Sequence, residues 1–192
     1  MILTLTVNPA IDQNVSADHL VFDDRAYILE TSEAPGGRGI NASMVIHSFG
    51  GKTVAIATAG GESGEHFRQS LKEKKFQFNL VPIQNEIRTN LTITDKHGLT
   101  VKLNEKGPDL SPEEIERIED TVKKNLPKAK WLMLCGSLPG GVPDDFYAKL
   151  IESAQAAKVH TLIDADGEAL IQAIEAKPTL VTPNQQEAER VL

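Results

Sequence analysis

The chain has 192 residues, 40% of them hydrophobic, which suits one α/β domain with a substantial core. A net charge of -7 argues against a nucleic-acid partner, because nucleic-acid binders carry a basic patch or stripe. No segment is apolar for long enough to span a bilayer, and a single cysteine, Cys135, excludes an internal disulfide framework and suits the reducing cytoplasm.

The opening residues, MILTLTVNPAID, lack the basic stretch and cleavage site of a signal peptide and read as a strand over 2–7. Residues 10–35 show no helical period. PGGRGINAS then leads into a helix over 39–50, followed by a strand over 53–59 and a helix over 64–75. Residues 88–104, RTNLTITDKHGLTVKLN, alternate in the strand manner around DKHG and read as a hairpin. A helix over 111–125 opens on SPEE, with Ser111 as N-cap, Pro112 at the first position and Glu114 completing a capping box. Strands over 131–135, 159–164 and 179–182 alternate with helices over 143–157 and 167–176. NQQEAERVL begins one or two turns of a further helix with no terminating signal, which reads as part of a longer domain.

Alternation of this kind predicts a mostly parallel sheet covered by helices on both faces. The stretches 10–35 and 88–104 interrupt it, and predict a small second sheet. Placed over the C-terminal ends of the core strands, where open α/β sheets bind ligands, that sheet would act as a lid.

The common nucleotide and hydrolase motifs fail here. GxGxxG has Gly37 and Gly39 but Ala42 in place of the third glycine, and GxxxxGK[ST] is absent. Neither Ser63 nor Ser137 has the glycine pair of a nucleophile elbow. The five histidines are scattered, with no HExxH and no CxxC, so a protein-built zinc site is not indicated. GGRGIN remains. Its glycines bare the backbone, and Asn41 sits in the first turn of the following helix, where an amide that donates and accepts suits sugar hydroxyls. A tight turn alone would also explain the glycines.

TVNPAID, PGGRGINAS, GGESGEHF, RTNLTI, GSLPGGVP, DADGEAL and TPNQQE occur in the order and spacing of the ribokinase-like sugar kinases, the phosphofructokinase B family. Over residues 2–192 the chain resembles most closely the sugar-phosphate branch: minor-type 6-phosphofructokinases, 1-phosphofructokinases and tagatose-6-phosphate kinases. The resemblance implies a ribokinase-like α/β fold with a β-sheet lid and ATP-dependent phosphorylation of a ketohexose phosphate in the cytoplasm. It implies ATP and Mg2+ as cofactors, a homodimer formed through the lid, and no nucleic-acid or membrane partner.

The resemblance also assigns residues. Asp12 matches the carboxylate that binds sugar hydroxyls, although a turn aspartate after Pro9 is its local alternative. Gly36, Gly37 and Asn41 match the loop that holds the sugar. Arg25 falls where relatives carry a lid cation, commonly lysine. Arg88 matches a second phosphate-binding cation, and Ser137 a hydroxyl that joins them, while its local alternative is to cap the turn GSLPGG. Arginine in both lid positions suits bidentate phosphate contact. Asn184 and Glu187 match positions that organise magnesium and the ATP phosphates, Glu187 through water, although the pair is already a sufficient capping box.

Two positions depart from the family pattern: Thr182, where relatives often have lysine, and Arg38, where some have lysine or glycine. The family's D-T-x-G-A-G-D-like signature, which supplies the catalytic aspartate and anion hole, has no match in these residues. The catalytic base is therefore expected beyond Leu192, and residues 1–192 alone are expected to be inactive. GGESGEHF and IRTNLTI put fructose 6-phosphate first among substrates, ahead of tagatose 6-phosphate and fructose 1-phosphate. The alternatives are a non-catalytic sugar-phosphate-binding module, or a kinase of an unphosphorylated sugar or nucleoside, which would not need Arg25 and Arg88 together.

Overall fold

The computed structural model describes residues 1–21 and 23–191. The chain runs through β1 (Ile2–Thr6), β2 (Ala10–Ala17), β3 (Ile28–Gly36), α1 (Arg38–Ser48), β4 (Thr53–Ala59), α2 (Gly61–Glu73) and β5 (Gln77–Pro82). β6 (Arg88–Asp95), β7 (Thr100–Asn104), α3 (Pro112–Asn125), β8 (Trp131–Cys135) and α4 (Phe146–Ala156) follow. β9 (His160–Asp164), α5 (Gly167–Glu175), β10 (Leu180–Val181) and α6 (Gln185–Val191) complete the order.

Six strands form a parallel sheet in the order β10-β9-β8-β1-β4-β5, flanked by helices. β1 lies between β8 and β4 and is closed off on both faces, with Leu3, Leu5 and Thr4 at 0% exposure. That burial is why the strand reads as a continuous run of apolar and β-branched residues rather than an alternating one. From β1 the chain builds outward through β4 and β5, then returns to the other side for β8, β9 and β10. Strand order thus reverses between β1 and β8, and open α/β sheets bind ligands at the C-terminal mouth of such a reversal.

The capping box on α3 is made as expected: Glu114 N donates to Ser111 Oγ and Ser111 N to Glu114 Oε2, at 3.3 and 2.8 Å. The helix expected from 143 starts later, at Phe146, because residues 143–145 form a turn in which Phe146 N donates to Pro143 O at 3.0 Å. β5 is an edge strand that sequence reading passed over.

Residues 10–36 and 88–104 supply a separate four-stranded sheet in the order β3-β2-β6-β7. Its centre is the parallel pair β2 and β6, with Ala10 opposite Arg88 and Asp12 opposite Asn90. Alternation divides the faces. One carries Asp12, Asn14, Arg88, Asn90 and Thr92; the other carries Val15, Leu91, Ile93, Val101 and Leu103.

Candidate active site

The loops after β1 and β8 emerge side by side at the strand-order reversal, since Thr6 pairs with Cys135. Asn8 and Ser137 extend from these ends and meet: the Asn8 amide donates to Ser137 Oγ at 3.2 Å and to the Lys106 carbonyl at 2.9 Å. The latter bond draws the segment after β7 onto the core. Arg88, the first residue of β6, donates from Nη1 to the Glu105 carbonyl at 3.0 Å. Asp12 and Asn90 lie two residues further along the pair, on the same face as Arg88, with Asn90 Nδ2 donating to Asp12 Oδ1 at 2.9 Å.

Gly36 and Gly37 close the other side, between β3 and α1. A Cβ on Gly36 would lie 2.5 Å from Asp12 Oδ1 and closer still to Oδ2, so glycine there is what leaves room for the carboxylate. Gly37 has φ 125, a conformation that side-chain-bearing residues rarely adopt, and it serves as N-cap of α1 without a side-chain bond. Asn41, in the first turn of that helix, is exposed, and its side chain makes no hydrogen bond among the described residues.

Several polar atoms are left buried without a partner at this junction: Thr6 Oγ1, Asn8 Oδ1, Arg88 Nε and Asn90 Oδ1. Buried polar groups are normally paired, and leaving one unpaired costs about 1–3 kcal/mol. Arg88 is half-buried and makes no ion pair among the described residues. Burial pulls its guanidinium below the ordinary value, while the nearby Asp12 and Glu105 carboxylates work the other way. A cation with an unused donor, beside acceptors and a carboxylate, is arranged for a ligand that is anionic at one end and hydroxylated at the other.

Sequence-predicted Asp12, Gly36, Gly37, Arg88 and Ser137 thus lie at one junction, linked in steps through Asn8, Asn90 and residues 105 and 106, and Asn41 stands one helical turn beyond Gly37. Arg25 does not join them. It lies in the loop between β2 and β3, beyond the level where Ala17 pairs with Ile28, whereas Arg88 stands opposite Ala10. At about 3.3 Å per residue the two levels are roughly 23 Å apart, so one chain does not present both guanidiniums to one phosphate.

On the far side of the mouth, Asn184 and Glu187 form a complete capping box at the start of α6: Glu187 N donates to Asn184 Oδ1 and Asn184 N to Glu187 Oε2, both at 2.9 Å. The unanticipated contact is Arg38, the first residue of α1. Its Nη1 bonds Asp164 Oδ1 at 2.7 Å and its Nη2 bonds Glu187 Oε1 at 2.8 Å. Both Glu187 oxygens are thereby engaged. Among the described residues no cluster of His, Cys, Asp and Glu side chains is set to hold a metal ion. No helix among them is long and apolar enough to cross a membrane. Asn8 and Asn90 lie at this junction and Arg38 spans the mouth beside it, and sequence reasoning gave none of the three a role. Asn8 and Asn90 stand inside recognised motifs, but their partners lie 129 and 78 residues away.

The pfkB family carbohydrate kinase profile matches residues 6–192. A structure of the tetrameric inhibited form of phosphofructokinase-2 from Escherichia coli aligns with 30% identity and a TM-score of 0.91, over 99% of this chain and 63% of that one. The same enzyme in complex with fructose-6-phosphate aligns with 29% identity and a TM-score of 0.92 over the same shares. A possible 1-phosphofructokinase from Thermotoga maritima gives 26% identity and a TM-score of 0.88, over 97% of this chain and 61% of that one. The chain thus spans less than two thirds of each of these proteins. With a ribokinase-like core, a second small sheet and the profile match over nearly its whole length, the chain belongs to the pfkB family of carbohydrate kinases.

Proposed function

We propose that the protein phosphorylates a ketohexose phosphate with ATP, with fructose 6-phosphate first and tagatose 6-phosphate and fructose 1-phosphate next. The observation that carries this reading is Arg88: half-buried, without an ion pair among the described residues, and with Nε unpartnered beside Ser137, Asn8 and the Asp12–Asn90 pair. The sugar phosphate would set its phosphate against Arg88 and Ser137 and its hydroxyls against Asp12, Asn41 and the Gly36–Gly37 backbone. The capture of fructose-6-phosphate by the Escherichia coli neighbour supports the choice of substrate. MgATP supplies the phosphoryl group. Asn184 and Glu187 would face it, with Glu187 meeting the metal only through water because both its oxygens are engaged. The proton acceptor is assigned to the family's glycine–aspartate signature, beyond Leu192.

In this reading the small sheet is a lid that excludes water over the acceptor, and residues 1–192 are the N-terminal portion of one kinase domain. Its apolar face leaves Leu103 55% exposed, and Tyr27 and Ile28 at the sheet's edge stand at 64% and 67%, which supports a homodimer through the lid. Arg25, at the far tip, would then serve a phosphate only from another subunit.

Arg88→Ala in the full-length protein tests the proposal. KM for fructose 6-phosphate should rise by ten-fold or more, because a hydrogen bond to a charged group is worth about 1.5–3 kcal/mol. Turnover of unphosphorylated fructose, expected to be poor in the wild type, should change little. An equal loss on both sugars would remove the phosphate-reading role and leave a kinase of neutral sugars as the better account.

A further inference from the structure

Arg38 is the first helical residue after the Gly36–Gly37 turn, yet its side chain leaves that turn and crosses the mouth of the sheet. The two carboxylates it reaches belong to separate elements: Asp164 ends β9, and Glu187 lies in α6. Glu187 is nearly buried, with a side-chain exposure of 3%, and is held in charged form. Burial would raise its pKa, but the Asn184 N–H and the Arg38 guanidinium together bring it below the ordinary value. Arg38 is shifted the other way: burial works against its charge, and Glu187 and Asp164 more than compensate. Among the described residues α6 is also held by an ion pair from Arg190 to Asp166, by packing against α5 and by Val191 against the core. A planar guanidinium can serve two carboxylates on two elements at once, whereas an ammonium is a single point charge on a flexible stem.

Building on the kinase reading above, we propose that Arg38 is a positioning residue: it fixes the sugar-side glycine turn to the end of β9 at Asp164 and, through Glu187, to the nucleotide-side capping box of Asn184 and Glu187. Seating a ligand on either side then pre-sets the other, and the two affinities are coupled reciprocally. Arg38 itself need touch neither ligand.

Two measurements on the full-length protein test this. The first is calorimetric titration of fructose 6-phosphate with and without saturating Mg2+ and a non-hydrolysable ATP analogue, and of the analogue with and without the sugar. In the wild type each ligand should tighten the other by about five-fold or more, by the same factor in both directions. Arg38→Lys keeps a cation beside the buried Glu187. It should bind each ligand alone within about three-fold of wild type while the coupling factor falls towards one, and Asp164→Asn should do the same. The second measurement is ligand-free hydrogen exchange, in which amides 38–41 and 186–190 should gain exchange together in Arg38→Lys.

Wild-type coupling retained in Arg38→Lys, no coupling in the wild type, or faster exchange confined to one of the two segments would each overturn the proposal. If the wild type binds neither ligand, so that coupling cannot be read, and Arg38→Lys still shows the paired change in exchange, the kinase reading alone fails and the mechanical link stands.

Discussion

Replacing Gly36 with alanine perturbs one carboxylate and little else. Gly36 is not among the positive-φ glycines, so alanine meets no backbone penalty there. Its new Cβ would stand 2.5 Å from Asp12 Oδ1 and nearer to Oδ2, inside van der Waals contact with the whole carboxyl group. Asp12 must swing away and give up its 2.9 Å bond from Asn90. A hydrogen bond to a charged group contributes about 1.5–3 kcal/mol, and the same amount is at stake for each sugar hydroxyl that Asp12 would hold in the proposed site. KM for fructose 6-phosphate should therefore rise roughly ten- to hundred-fold. Fold stability should change much less, because the lost bond is partly offset by about 0.4–1 kcal/mol from the lower entropy of the unfolded alanine chain. The decisive assay is a double-mutant cycle of Gly36→Ala and Asp12→Ala in the full-length protein, read by sugar-phosphate kinetics and thermal unfolding. Once Asp12 is alanine, the Gly36 substitution should cost almost nothing further. Additive losses in the double variant, or a wild-type KM in Gly36→Ala alone, would refute the argument that glycine is there to admit the carboxylate.

Burial raises the Cys135 thiol to about 12, with the charge on Asp164 adding to the shift and Arg38 partly opposing it. Native protein should resist iodoacetamide at pH 8 and label only in denaturant; rapid labelling of the folded state would contradict this. Glu187 is depressed below 4.5 in the fold, so its contribution to stability is complete above that value and fades as pH falls through the folded pKa. The melting-temperature advantage of wild type over Glu187→Gln should thus be full at neutral pH and shrink in acid. A difference that stays constant down to about pH 3 would count against the Arg38–Glu187 pair as a source of stability.

What could be read directly was whatever has a local cause. Leu3 to Leu5 and the run 53–59 announce buried parallel strands because both faces are covered, and SPEE announces a helix start because the capping box closes within three residues. The polar and apolar alternation of 88–95 followed from one face meeting the site and the other facing outward. β5 escaped notice because it is an edge strand in which Gln77 and Asn79 interrupt the apolar residues and Pro82 ends the run. The grip of Arg38 is illegible for a different reason: its partners are 126 and 149 residues away, and only the order of β9, β8 and β1 brings them across the mouth. Arg25 shows the converse: the resemblance places it with Arg88 on one small sheet, but an eight-residue β2 holds the two apart within one chain.

The chain passes between the core and the small sheet four times, near Asn8, at Gly36–Gly37, just before Arg88 and just after Asn104. Every crossing carries a residue of the candidate site or its hydrogen-bond partner, and the bonds from Asn8 to Lys106 and from Arg88 to Glu105 lace the crossings together. In the proposed reading the roots of the sheet are thus where recognition happens, and its tips, residues 18–21, 23–27 and 96–99, are remote from it. Lengthening or reshaping a tip leaves the acceptor geometry alone, whereas deleting a single residue at any root shifts all four crossings at once. The tips are accordingly the place where such a protein can acquire new contacts with other molecules, a second subunit included, without retuning what its own chain binds inside.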